Sequence, residues 1–134
     1  MVSDEEVVST FEAMRQLRTH LNETEYLETI RRMRRSGYRL ATVLDGGRVK
    51  CAAGFRSQEY LSLGRHLYVH DLITAEDARS EGRGQRMLNW LADEARGDGC
   101  GQINLDSGVQ RHDAHRFYFR EGMSISSYHF RKEL

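Results

Sequence analysis

The sequence has no proline and only two cysteines, Cys51 and Cys100. Neither cysteine has a Cys or His neighbour at metal-ligand spacing, so no metal centre is predicted. Their apolar or glycine-flanked settings read as free, buried thiols of a reducing compartment. No apolar run reaches the ~18 residues that a membrane-spanning helix needs. The opening MVSDEEVVST lacks the basic start and apolar run of a secretion signal. Blocks of like charge are missing as well, since 20 Lys+Arg balance 20 Asp+Glu. The densest basic spot, Arg31-Arg32 with Arg34-Arg35, spreads around a helix rather than forming one footprint. These absences predict a soluble, cytoplasmic protein with neither membrane nor nucleic acid as partner. No internal repeat or low-complexity segment divides the chain, and 134 residues suit a single domain over 1–134.

What is present centres on Leu67 to Arg96. Leu67 to Thr74, LYVHDLIT, is β-branched and aromatic enough to be a strand. A polar loop follows, then Arg79-Ser80-Glu81-Gly82-Arg83-Gly84-Gln85. After it Met87, Leu88, Leu91, Ala92 and Ala95 line one face of a helix. A helix entered through two glycines presents main-chain N–H groups at the positive end of its macrodipole. Without a Cβ at Gly82 or Gly84, a bulky anion can approach that main chain closely. Arg79 adds cationic charge, with Arg83 a second candidate. The dinucleotide pattern requires a third glycine where Met87 stands, and the P-loop requires a Gly-Lys-Ser/Thr ending that is absent. The spacing present is Arg-x-x-Gly-x-Gly, and the turn reads as a phosphate cradle.

Around this stretch the elements follow from periodicity and punctuation. Ser3 with Asp4, Glu5 and Glu6 predicts a helix start, carried on by Val7, Val8, Phe11, Met14, Leu17 and Leu21. Asn22 restarts a second helix with the stripe Tyr26, Leu27, Ile30 and Met33, ended by Ser36-Gly37. Tyr38–Leu44 and Arg48–Phe55, joined by Asp45-Gly46-Gly47, predict a hairpin. Ala52-Ala53-Gly54 are small enough to admit a neighbouring helix closely. Arg56–Gly64 reads as a connector to a strand over roughly Arg65–Thr74. Gln102–Ser107 alternates as a strand, His112–Glu121 is a short helix, and Met123–Phe130 is expected to close the chain as a strand. On the short helix Ala114, Phe117 and Tyr118 share a face, where a tyrosine reads more readily as a core aromatic with its hydroxyl at the rim.

On Arg79, Gly82 and Gly84 the turn resembles the coenzyme-binding motif of the GNAT acyltransferase superfamily. Ala114, Phe117, Tyr118 and Gly122 match in register that superfamily's second motif, Ala-x-x-Phe-Tyr-x-x-x-Gly-Phe, with Met123 where phenylalanine is usual. The resemblance spans Leu67 to Phe130, about half the chain. It implies an α+β fold with a mixed, mostly antiparallel twisted sheet flanked by helices. It also implies an acetyl-CoA-dependent N-acetyltransferase that needs no metal. In that reading Arg79, Ser80, Glu81, Gly82, Arg83, Gly84 and Gln85 hold the coenzyme pyrophosphate, and the main chain of Leu72, Ile73 and Thr74 holds its pantetheine arm. Arg111 stands where an asparagine often touches pantetheine, and Ala114 completes the contacts. Tyr118 protonates the departing thiolate. A further departure is that no strand precedes the first helix.

The chemistry also needs a base, because an alkylammonium titrates near ~10.4. The Leu-Tyr-x-x-Asp strand resembles that of polyamine acetyltransferases, where the residue before Asp is commonly Glu; here it is His70. His70 is the first choice, near neutral at cellular pH, and Asp71 is the rival. Alternation along a strand turns the two opposite ways unless a bulge intervenes. The expected acceptor is a primary amine of a small molecule or peptide, attacked directly in a ternary complex. Arg15, Arg18, His20, Tyr26, Arg56 and Glu59 are candidates to line its pocket, although an exposed helix face explains the first four equally well. The competing readings are a catalytically silent acyl-CoA-binding module of the same fold and a nucleotide binder without a Walker lysine. A free edge on Ser124–Phe130 would suit a homodimer.

Overall fold

The computed structural model describes residues 3–75 and 82–134. Its first helix, α1 (Asp4–Ser9), opens on a capping box: Ser3 Oγ accepts from the Glu6 N–H at 3.2 Å, and the Glu6 carboxylate accepts from the Ser3 N–H at 2.7 Å. The single helix expected up to Leu21 is instead broken at Thr10 into α1 and α2 (Phe11–Leu17). The Thr10 hydroxyl donates to the Val7 carbonyl at 2.6 Å and lies 2.5 Å from the Tyr26 hydroxyl. Such side-chain competition with the helical ladder is how a threonine interrupts a helix. The break lets α1 pack on α3 (Glu23–Arg35) while α2 packs on the sheet.

Four strands lie in the order β1 (Arg39–Asp45), β2 (Arg48–Tyr60), β3 (Gly64–Thr74) and β4 (Gln102–Leu105). The pairs β1–β2 and β2–β3 are antiparallel. The stretch expected to be a connector, Arg56–Gly64, belongs mostly to β2, which turns over residues 61–63 directly into β3. Arg56 through Tyr60 pair with Tyr68 through Gly64, so the ladder supplies what these polar residues lack in strand propensity.

Opposed residues share a face, and the register therefore sorts the side chains. On one face Ala52 and Ile73 join Val7, Phe11, Ala13, Met14, Tyr26, Ile30 and Tyr38 in a core under α1, α2 and α3. On the other, Phe55 meets Trp90 of α4 (Arg83–Gly97) with ring centroids 5.9 Å apart. Met87, Leu88, Leu91 and Ala95 are the buried stripe of α4, as the spacing predicts. Cys51 and Cys100 are free and buried. Together these elements make the expected α+β architecture, a mostly antiparallel open sheet flanked by helices.

The chain divides into two units, Met1–Asn104 and Leu105–Leu134. The second holds α5 (His112–Arg120), followed by residues 121–134 without strand structure. The strand expected over Met123–Phe130 is not formed, and Ile125, Tyr128 and Phe130 stand exposed. A strand exists only through its pairing, and this unit offers none among its described residues beyond the end of β4. The terminal edge on which a homodimer was expected is thus not built.

Candidate active site

The site forms where β3 carries one residue too many. Gly54 pairs with Asp71 and Phe55 with Val69, which leaves His70 as a bulge. The bulge cancels the alternation expected of His70 and Asp71, and both side chains meet residues of the same face. His70 Nε2 accepts from Arg56 Nε at 3.1 Å. Its ring meets Tyr38 and Tyr68 edge-on, at centroid distances of 5.7 and 4.9 Å. Asp71 accepts from the Tyr38 hydroxyl at 2.8 Å and from Arg18 Nε at 3.1 Å, while Arg18 Nη2 donates to the His70 carbonyl at 3.1 Å.

Tyr38 holds this arrangement, and sequence reasoning treated it only as the start of a strand. A Cβ at Gly54 would sit 1.6 Å from the Tyr38 hydroxyl oxygen. The small residues expected to admit a helix therefore admit, at Gly54, a tyrosine laid flat across the sheet. A glycine in a strand interior signals such close approach or a bulge, and here it accompanies both. Burial first, then the Asp71 carboxylate, pushes the Tyr38 phenol far above its usual range, so it remains a donor. Burial and the Arg56 charge hold His70 below the ordinary imidazole value, against the opposing pull of Asp71. A neutral ring follows, with its acceptor nitrogen turned to Arg56.

At the start of α4, Gly82 is in the left-handed region at φ 79° and no side chain caps the helix. A Cβ there would meet nothing within 4 Å, so the backbone angle and not crowding selects glycine. Arg83, Gly84 and Gln85 form the first turn, which alone among the described helices carries no acid. Arg83 reaches away to Asp45, Nη2 to Oδ2 at 2.6 Å. Arg79, Ser80 and Glu81 lie outside the described residues.

Leu72, Ile73 and Thr74 pair with Ala53, Ala52 and Cys51. The Ala75 N–H donates to the Lys50 carbonyl at 2.8 Å. By alternation of an antiparallel ladder, Ile73 then faces β2 with its main chain, while Leu72 and Thr74 face the far edge. There β4 begins beside Arg65, whose carbonyl accepts from the Gly101 N–H at 3.0 Å. A strand of four residues starting at that level does not reach Leu72 in either direction.

In the second unit Arg111, Ala114 and Tyr118 fall at i, i+3 and i+7, on one face of α5. Burial pushes the Tyr118 phenol up, and a hydrogen bond and charge from Arg111 partly offset it. Its ring packs on Phe117 at 5.5 Å. Among the described residues no three His, Cys, Asp or Glu side chains come together to hold a metal, and no helix is long and apolar enough to cross a membrane. Of the other acceptor candidates, Arg15 pairs with Glu12, His20 is exposed, and Tyr26 is buried against Thr10.

Comparison with known proteins adds four findings. The sequence profile described as the Acetyltransferase (GNAT) family matches residues 6–123. The chain is 35% identical over 134 residues to the uncharacterized N-acetyltransferase YhdJ of Bacillus subtilis (strain 168), covering 98% of this chain and 94% of that protein. It is 36% identical over 66 residues to the aminoalkylphosphonate N-acetyltransferase of Salmonella typhimurium, covering 49% of this chain and 43% of that one. Its fold is similar to that of a GNAT family acetyltransferase from Staphylococcus aureus, with a TM-score of 0.80 and 16% identity over 98% of this chain and 91% of the other.

Proposed function

The chain belongs to the GNAT family of acetyltransferases and is an acyltransferase, and from that premise we propose that it moves an acetyl group from acetyl-CoA to a primary amine of a small-molecule or peptide acceptor. Residues 1–134 act as one catalytic domain, and the amine attacks directly in a ternary complex. The observation that carries this reading is the start of α4: a left-handed glycine, no side-chain cap and no acid in the first turn. A helix so begun offers main-chain donors and partial positive charge to a ligand anion. The coenzyme pyrophosphate is the anion assigned to it.

The remaining roles follow from chemistry. The outward main chain at Leu72 and Thr74 suits the pantetheine arm, and one N–H there faces the thioester oxygen as charge develops. His70 is the base. Its neutral ring takes a proton from the acceptor ammonium directly or through a water, whereas both donors on Asp71 hold that carboxylate in a supporting role. The amine nitrogen then bonds to the acyl carbon, the C–S bond breaks, the thiolate takes a proton from Tyr118, and the surplus proton shed by the new amide nitrogen restores the phenol. A phenol pushed up by burial stays protonated at neutral pH until that step. Arg111 and Ala114 complete the coenzyme contacts.

Calorimetry with acetyl-CoA, CoA and ATP, followed by thiol release with a panel of amines, tests the reading. Acetyl-CoA binding with amine-dependent release is expected. Binding without release by any amine would contradict turnover, and tighter binding of ATP would contradict the coenzyme.

A further inference from the structure

Arg56 is an unusual cation for its setting. It lies half-buried on β2, on the face that carries His70 and Asp71. Its Nε donates to His70 Nε2 at 3.1 Å, and its Nη1 donates to the carbonyl and hydroxyl oxygens of Ser36, both at 3.3 Å. All three acceptors are neutral. No carboxylate among the described residues pairs with it, and its Nη2 bonds to none of them. By contrast, Arg18 pairs with Asp71, Arg39 with Glu94 and Asp98, and Arg83 with Asp45. The charged groups turned toward His70 are therefore Arg18 and Arg56 against Asp71 alone, an excess of one positive charge. A partly buried cation without a counter-charge is costly unless a ligand supplies one. The Ser36 contacts hold the guanidinium in one pose, so little freedom is lost when an anion docks.

The pose has a second consequence. The donor that occupies the His70 lone pair is Nε–H, which together with Nη2–H forms the side-on fork that grips an oxyanion through two bonds. An oxyanion docking on that fork draws Nε–H away from His70 and frees Nε2 to take a proton.

We propose that the acceptor amine carries a compact oxyanion, a carboxylate or phosphonate, that binds the Nε/Nη2 edge of Arg56 and in doing so releases His70 to act as base. This rests on the transfer reaction proposed above and adds the class of its substrate. With the amine within hydrogen-bond reach of His70, the oxyanion falls roughly 4–7 Å from it, the span of a short amino acid or aminoalkylphosphonate. An acceptor of this kind raises kcat as well as lowering KM, because its own anion clears the base.

The test compares short amino carboxylates and aminophosphonates with plain alkylamines of equal length, by thiol release, in wild type, Arg56→Gln and Arg56→Lys. In wild type the anionic acceptors are expected to lead by ~100-fold in kcat/KM, part of it in kcat. In Arg56→Gln that lead should shrink to a few-fold, in both kcat and KM, with acetyl-CoA affinity unchanged. Arg56→Lys keeps the charge without the fork and should retain a KM advantage while losing the kcat advantage; it decides the matter if the glutamine variant is unstable. Equal rates with alkylamines in wild type, or a lead that survives in Arg56→Gln, would overturn the proposal and leave acetyl transfer standing. If no amine is turned over, the reaction itself is wrong, and calorimetry of the anionic amines on wild type and Arg56→Gln still decides whether Arg56 binds them.

Discussion

Two helix starts in the same unit are built in opposite ways. At α3 the chain supplies everything itself: Asn22 is extended at φ −112°, its side chain accepts from the Glu25 N–H at 2.9 Å, and Glu23 and Glu25 place acid in the first turn. At α4 Gly82 is left-handed, no side chain caps, and no acid is present. Both helices have the same unsatisfied donors and the same dipole in isolation. The difference is that α3 closes its positive end with its own atoms, whereas at α4 no described side chain does so. The first kind of start contributes to stability, and the second is the one we assign to the coenzyme pyrophosphate.

The comparison breaks most visibly if a carboxylate is placed at the uncapped start. Gly82→Asp sets a like charge about 4 Å from the pyrophosphate, costing about 4 kcal/mol at an effective dielectric near 20. Acetyl-CoA affinity by calorimetry should fall by ~1,000-fold, far more than the roughly 1 kcal/mol of stability that a side chain at this left-handed position costs; unchanged affinity would mean that α4 does not hold the coenzyme. Tyr118→Phe sharpens the contrast from the reacting end of the same ligand. Its kcat should drop ~100-fold with coenzyme affinity retained, and a loss confined to affinity would remove the acid role.

His70→Gln tests the sheet side of the site with a loss of ~100-fold or less. His70 must be neutral to accept a proton, and burial with the Arg56 charge lowers its pKa. The wild-type kcat/KM should therefore hold as pH falls through the ordinary imidazole range and decline only below it, whereas the variant should lack that limb. An identical acid limb in both would take His70 out of the reaction. The smallest effect belongs to the capped start. Asn22→Ala should cost about 1 kcal/mol in urea unfolding, with acetyl-CoA affinity unaltered; a loss of affinity there would erase the distinction between the two helices.

How far the site was legible in the sequence follows the range of the forces that build it. Gly82 and Gly84 before the stripe of Met87, Leu88, Leu91 and Ala95 announce a strand–turn–helix because glycine conformation and helical periodicity act within a few residues. The caps at Ser3 and Asn22 are legible for the same reason. Local signals misled where pairing overrides composition. Ser57, Gln58 and Glu59 look like a connector yet stand in β2, and residues 123–130 look like a strand yet join no ladder among the described residues.

By itself, then, the sequence determined α3, α4 and α5, the caps at Ser3 and Asn22, the glycine entry to α4 and the aromatic turn of α5, since each depends on neighbours along the chain. Tertiary structure alone decided that His70 bulges between Val69 and Asp71, that Tyr38 lies across Gly54, and that Arg56 faces His70 with no carboxylate paired to it among the described residues. Those three facts are set by the register of strands many residues apart. A one-residue change of register turns a side chain to the other face of a sheet, and no local pattern in the sequence encodes it.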